Sequence, residues 1–246
     1  MFVEYFTTNI ESLDMKKLAL LTIVFFSTAV FPQIMKPQQF SGKVEIPVSF
    51  SYLEYLPDGY TTSDNAFPLL IFLHGSGERG DSLDLVKIHG VPKQIEKGDK
   101  FPFIVIAPQC KKDEWWRGPE LVALLNHLET KYRVDKSRIY VTGMSMGGYG
   151  TWAMALEAPQ RIAAIVPVCG GGLPHRICEV GGVPTWAFHG DKDNVVPITE
   201  SEKMINATKK CGVEAKLTVY EGGNHNAWDA TYSNPEVYKW LLEHKR

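Results

Sequence analysis

From Val44 onward, short apolar runs alternate with segments whose apolar residues recur every three or four positions. The runs 44–50, 52–56, 69–73, 103–107, 139–142, 163–168, 184–188 and 216–220 are bounded by Pro, Gly or Asp and read as strands. Several are apolar at every position, as Leu69-Leu-Ile-Phe-Leu73 and Phe103-Ile-Val-Ile-Ala107 show, which is how parallel strands covered by helices on both faces read. Between them, Leu121, Leu124, Leu125, Leu128 and Tyr132 form one helical stripe behind Pro119 and Glu120, and weaker stripes fall at about 148–157, 199–210 and 235–244. Strand, helix, strand repeated in this way predicts an α/β fold, a mainly parallel, doubly wound sheet with its chemistry in the strand-to-helix loops.

The segment before this pattern has a different character. Lys16 and Lys17 precede an uncharged stretch from Leu18 to Phe31 that ends against Pro32 and Gln33, the order of a secretory signal. Residues 1–33 are therefore expected to be a leader, with Met15 a second candidate start, and residues 40–246 the folded domain. The stretch is short for a spanning helix, so no stable membrane insertion is expected after cleavage, and the expected location is secreted or periplasmic. Export permits disulfides among Cys110, Cys169, Cys178 and Cys211, and the nine-residue spacing of Cys169 and Cys178 makes that pair the easiest to close.

Composition narrows the function further. With 26 basic and 28 acidic residues in 246, the net charge of −2 gives no footprint for nucleic acid. No Cys-x-x-Cys pair or dense Cys/His cluster is present, so neither a metal nor a cofactor is expected.

The run 139–142 leads into Gly143-Met-Ser-Met-Gly-Gly148 and then a helical pattern, the context of a Gly-x-Ser-x-Gly nucleophile elbow. Side chains two before and two after Ser145 would collide in so sharp a turn, hence Gly at both places. A serine hydroxyl needs a base, and the expected chain order of Ser, acid, His is met. Asp191 and Asp193 follow the run 184–188, and His225 lies in a Gly/Asn-rich loop after 216–220. Asp193, further into its loop, is favoured as the carboxylate that orients His225, while Asp191 is a candidate for tying the loop backbone. His74 and His189 each precede a Gly at a strand end and read as residues that shape their loops; His127 and His244 fall in helical patterns and read as solvated. The backbone N–H groups of Met146 and Ser76 are the candidate donors to an oxyanion, Ser76 lying in the Gly-rich loop after 69–73. Trp115, Trp116 and Trp228 stand in or beside these loops and are candidate substrate contacts.

With these residues in order, the chain resembles the α/β-hydrolase superfamily, and more narrowly the phospholipase/carboxylesterase and dienelactone-hydrolase-like esterases. The likeness spans about residues 45–244 and rests on Leu73-His-Gly-Ser-Gly-Glu-Arg-Gly80, Ala107-Pro-Gln-Cys110, Gly143-Met-Ser-Met-Gly-Gly148, Trp186-Ala-Phe-His-Gly190 and His225-Asn-Ala-Trp228. The resemblance implies that the acid stands three residues before Val196-Pro197, which selects Asp193. Dienelactone hydrolases use a Cys nucleophile, and Ser145 departs from that pattern. No long insertion follows 163–168, so no lipase-type lid is expected. The resulting expectation is a secreted serine carboxylesterase for short or aromatic acyl esters, with small molecules or polysaccharides as the alcohol. A peptidase of prolyl-oligopeptidase character and a catalytically dead binding protein on the same fold are the competing readings.

Overall fold

The computed structural model describes residues 35–43, 45–178 and 182–246. The expected leader, residues 1–33, lies outside the described residues. Within the compact body Ile46–Arg246, the strands are β1 (Ser51–Tyr55), β2 (Phe67–Leu73), β3 (Ile104–Gln109), β4 (Val134–Met144), β5 (Ala164–Val168), β6 (Thr185–Gly190) and β7 (Ala215–Tyr220). They form one sheet in the order β1-β3-β2-β4-β5-β6-β7, with β1 antiparallel to β3 and every other pairing parallel. The helices are α1 (Gly90–Glu96), α2 (Gly118–Lys131), α3 (Met146–Glu157), α4 (Thr199–Lys210), α5 (Trp228–Tyr232) and α6 (Pro235–Glu243).

Alternation along the strands explains the layering. Leu69, Ile71 and Leu73 point to one face with Ile139, Val141 and Ile165, where they meet α2, α3 and α4. Leu70 and Phe72 point to the other with Tyr140, Val166 and Phe188, under α1, α5 and α6. Because both faces are covered, the central strands are apolar throughout, each buried Leu or Phe contributing roughly 1.5–3 kcal/mol over an exposed one.

The expected strand at 44–50 is not formed. Val44 lies outside the described residues, and residues 45–50 carry no strand, with Ile46 and Val48 exposed. Pro47 has no amide to give to a ladder, so pairing starts only at Ser51, against Gln109. Helices α1 and α5, seven and five residues long, are too short to show a helical period and escape the sequence reading.

The expected Cys169–Cys178 bridge is also wrong. Cys178 is joined to Cys211 across 33 residues, while Cys169 and Cys110 are free and buried. Cys169 follows β5 and is fully enclosed beneath the strand ends, whereas Cys178 stands at the surface beside the C-terminus of α4, so proximity in sequence is not proximity in space. Replacing both bridged residues, Cys178→Ser with Cys211→Ser, is expected to lower the unfolding free energy by about 3–4 kcal/mol, the scale for a cross-link closing a loop of this length. Urea titration of the two proteins checks this, and intact mass with and without reductant should differ by two hydrogens.

Candidate active site

Four strand ends converge on one edge of the sheet. Ser145 follows β4, the 3-10 turn Ser76–Glu78 follows β2, Asp193 follows β6 and His225 follows β7. Ser145 has φ +53° and ψ −119°, a left-handed conformation that a side chain rarely adopts, and it aims Oγ out of the turn at the start of α3. A Cβ on Gly143 would stand 2.3 Å from the Gly147 carbonyl oxygen, and one on Gly147 only 1.9 Å from the Leu73 carbonyl oxygen. The elbow thus turns sharply and at the same time abuts the end of β2.

Ser145 Oγ lies 2.9 Å from His225 Nε2, and His225 Nδ1 lies 2.7 Å from Asp193 Oδ2. With the proton on Nδ1 donated to Asp193, Nε2 is free to accept the Ser145 hydroxyl proton. The Asp193 side chain is closed to solvent, while His225 keeps a little exposure, as a group meeting substrate must. Burial would raise the Asp193 carboxyl, but hydrogen bonds from His225 and from the Val196 and Val195 amides outweigh it and hold the group below its ordinary range. Oδ1 takes both of those amides at 2.9 Å, so Asp193 itself ties the loop that Asp191 was expected to tie. Asp191 is exposed, and it is its amide that bonds, to the Tyr220 carbonyl. Buried His189 braces the same carboxylate, its Nε2 lying 3.2 Å from Asp193 Oδ2 and 2.9 Å from the Val196 carbonyl oxygen.

Met146 opens α3 and Ser76 opens its 3-10 turn, so their amides belong to the helix-start groups that have no partner within the helix. The loop carrying Ser76 is held on several sides: Gln109 Nε2 donates to the Glu78 carbonyl, Arg79 Nε to the Ser76 carbonyl, and Trp116 Nε1 to the His74 carbonyl. His74, fully buried, donates from Nδ1 to the Gly75 carbonyl at 2.6 Å and accepts the Cys110 amide on Nε2 at 2.9 Å, which only a neutral ring does.

Burial lowers the His74 pKa to about 4 despite the Gly75 bond, with Arg79 adding to the shift. An unfolded chain protonates this ring near pH 6.5, while the folded protein resists until about pH 4. Stability is therefore full at neutral pH and falls as pH drops through that window, by about 3 kcal/mol in all. Unfolding free energies at pH 7 and pH 4.5 should show a steeper decline in the parent than in His74→Gln, which keeps one donor and one acceptor but does not titrate.

The three tryptophans part company. Trp116 is 3% exposed and belongs to the core, bracing the loop that carries Ser76. Trp115 is 49% exposed and edge-on to Tyr149, one turn of α3 beyond Ser145. Trp228 packs edge-on against His225 and against His89. Near the last pair lies Glu78, whose carboxyl is raised by burial, an effect that the facing His89 and the Gly75 and Glu78 amides reduce. Sequence reasoning missed Glu78, His89 and Tyr149, of which only Glu78 stood inside a quoted motif, and it read Cys169 as half of a bridge. Half-buried His244, taken as solvated, pairs with Glu214 and packs at a tilt against Trp240, whereas His127 is exposed. Cys169 Sγ, an Asp193 oxygen and a His225 nitrogen lie within 4.8 Å of one another, and a cation there would compete with the Asp193–His225 hydrogen bond.

Comparisons with known proteins bear on the family and the fold. A solved thermostable esterase shares 31% identity and superposes with a TM-score of 0.69, over 79% of this chain and 59% of that one. The feruloyl esterase module of Clostridium thermocellum, solved with sinapinate, shares the fold at 18% identity and a TM-score of 0.60, over 79% of this chain and 83% of that one. Among curated sequences, a probable feruloyl esterase C of Aspergillus terreus is 27% identical over 63% of this chain and 59% of its own length. A bifunctional acetylxylan esterase/xylanase of Neocallimastix patriciarum is 25% identical over 56% of this chain. The chain spans 59% of the length of the first of these curated relatives and 21% of the second. The dienelactone hydrolase family model matches residues 110–238, a stretch that contains the elbow, the acid loop and the histidine loop. Sequence, sheet order and the placement of these loops thus lead to one assignment: the chain belongs to the dienelactone hydrolase family, within the α/β-hydrolase fold.

Proposed function

We propose that the protein is an exported serine carboxylesterase that hydrolyses esters of short or aromatic acyl groups carried on polysaccharides, through an acyl-enzyme on Ser145. The observation that carries the reading is the unbroken chain of hydrogen bonds from Asp193 through His225 to Ser145, at 2.7 and 2.9 Å. Ser145 Oγ attacks the ester carbonyl as His225 takes its proton. The developing oxyanion is met by the Met146 and Ser76 amides, and His225 returns the proton to the departing alcohol. Water, activated by the same imidazole, then releases the acid. No metal or cofactor enters the cycle.

The names of the relatives, feruloyl and acetylxylan esterases, support an ester of a plant-wall type as substrate. The Cys178–Cys211 bridge supports an oxidising compartment, in line with residues 1–33 acting as a leader. No helix among the described residues is long and apolar enough to cross a membrane.

A fluorophosphonate probe should label the parent protein and fail to label Ser145→Ala. On a panel of substrates, aryl acetates should be turned over with a kcat/KM well above that for esters of twelve or more carbons and for peptidyl anilides. Preference for the anilides would make the protein a peptidase, and absence of labelling with no turnover would make it a binding protein.

A further inference from the structure

Two large, exposed apolar side chains line a single groove that starts one helical turn from Ser145. Trp115, in the loop between β3 and α2, is 49% exposed, and Leu173, in the loop after β5, is 47% exposed. Between them runs a groove of about 340 Å³ whose floor is the α3 stripe Tyr149, Ala153 and Leu156. That stripe continues, at helical spacing, the position of Ser145, and the Tyr149 amide bonds to the Ser145 carbonyl. The far end carries the ion pair of Arg176 with Glu157. Exposed apolar surface gathered into a concave wall, rather than scattered, marks a binding site.

Resting on the esterase reading, we propose that this groove is the acyl subsite and that it takes a hydroxylated aromatic acyl group, the alcohol leaving on the opposite side over Trp228 and His89. Three observations converge. The first is direction: His225 must protonate the departing oxygen, so the alcohol lies next to His225. The surface that continues from His225 is Trp228, 5.3 Å away by ring centres, and then His89, 5.5 Å beyond it. The groove meets the elbow through Tyr149, one helical turn past Ser145, and no residue of the loop that carries His225 lines it, so of the two halves of the ester it is the acyl half that it is open to.

The second is size and shape. A closed cavity of about 150 Å³ accepts benzene, so an open groove of about 340 Å³ holds one ring with a short connector to the carbonyl. Trp115 and Tyr149, edge-on to each other at 6.2 Å, give that ring aromatic walls. The third is polarity. A long alkyl chain would drive its methyl end against the Arg176–Glu157 pair, whereas a ring hydroxyl meets a donor and an acceptor there. The wall bearing Leu173 and Arg176 runs directly into Cys178, whose bond to Cys211 fastens it to the end of α4, so the groove is preformed.

The test is a matrix of four substrates: methyl and methyl-glycoside esters of acetate and of 4-hydroxycinnamate. Trp115→Ala and Leu173→Ser, both at exposed positions that a folded chain tolerates, should lower kcat/KM for the two 4-hydroxycinnamates about ten-fold or more, whatever the alcohol. Both acetates should keep their parent values. His89→Ala should instead change the ratio of glycoside to methyl esters and leave the acyl preference alone. In Ser145→Ala, free 4-hydroxycinnamate should bind and quench tryptophan fluorescence, and adding Trp115→Ala should abolish that binding. Groove variants that shift the alcohol ratio, or that leave 4-hydroxycinnamate turnover untouched while acetates are still cleaved, would overturn the groove assignment alone. Loss of fluorophosphonate labelling and of acetate turnover in the parent protein would overturn the esterase reading beneath it.

Discussion

Asp193→Asn is expected to lower kcat for ester cleavage about 10⁴-fold with the fold intact, and Asp191→Asn to leave it close to the parent value. The reason is a tautomer. Asp193 accepts the Val195 and Val196 amides on Oδ1 and the His225 ring on Oδ2. An asparagine has one acceptor to offer, and the two amides claim it. Its NH₂ then faces His225 Nδ1, which must turn from donor to acceptor, so the ring proton moves to Nε2. A protonated Nε2 cannot take the Ser145 hydroxyl proton across their 2.9 Å contact. Asp191 is exposed and takes no part in this network. Single-turnover acylation of the two variants, with circular dichroism to check folding, decides the matter, and the reverse order of effects would move the orienting role to Asp191.

The same pair shows what the sequence could and could not carry. That an acid follows the sixth strand was legible, because loop residues at strand ends are punctuated by Gly and Pro. That one carboxylate both ties its loop and holds the histidine was not, since it depends on where Oδ1 and Oδ2 point. Strand positions β2 to β6 were legible for a physical reason: central parallel strands are buried on both faces and stand out as apolar runs. The edge strands were legible as well, β1 at 52–56 and β7 at 216–220, but the point where pairing begins was not: Ile46 and Val48 alternate like a strand yet find no partner. Trp115 and Trp116 are neighbours of one type, and nothing in their order tells which becomes core and which becomes wall. The bridge failed for a related reason, since Cys211 approaches Cys178 only after α4 has crossed back over the sheet. The groove itself is built from two loops, the start of α2 and a face of α3, distant in sequence, and only packing assembles it.

Gly147→Ala is the substitution expected to damage stability most, by on the order of 4 kcal/mol or more, because its new methyl meets backbone and not the end of a flexible side chain. It would stand 1.9 Å from the Leu73 carbonyl oxygen, 2.5 Å from the Leu73 carbonyl carbon and 2.7 Å from the His74 carbonyl oxygen. Relief requires the start of α3 to part from the end of β2. Those two segments carry the two proposed oxyanion donors, Met146 on one and Ser76 three residues past Leu73 on the other. Any molecules that fold should therefore show a depressed kcat with KM little changed, since the donors act on charge that develops only as the reaction proceeds. Gly77→Ala is the control: it lies in the facing turn that carries Ser76, its Cβ meets nothing within 4 Å, and its backbone is not in the left-handed region. Urea unfolding and steady-state kinetics on the two variants separate contact from mere loop position. Parent-like stability in Gly147→Ala would mean that the elbow and the end of β2 are not in contact, and the oxyanion site would then have to be built from other amides.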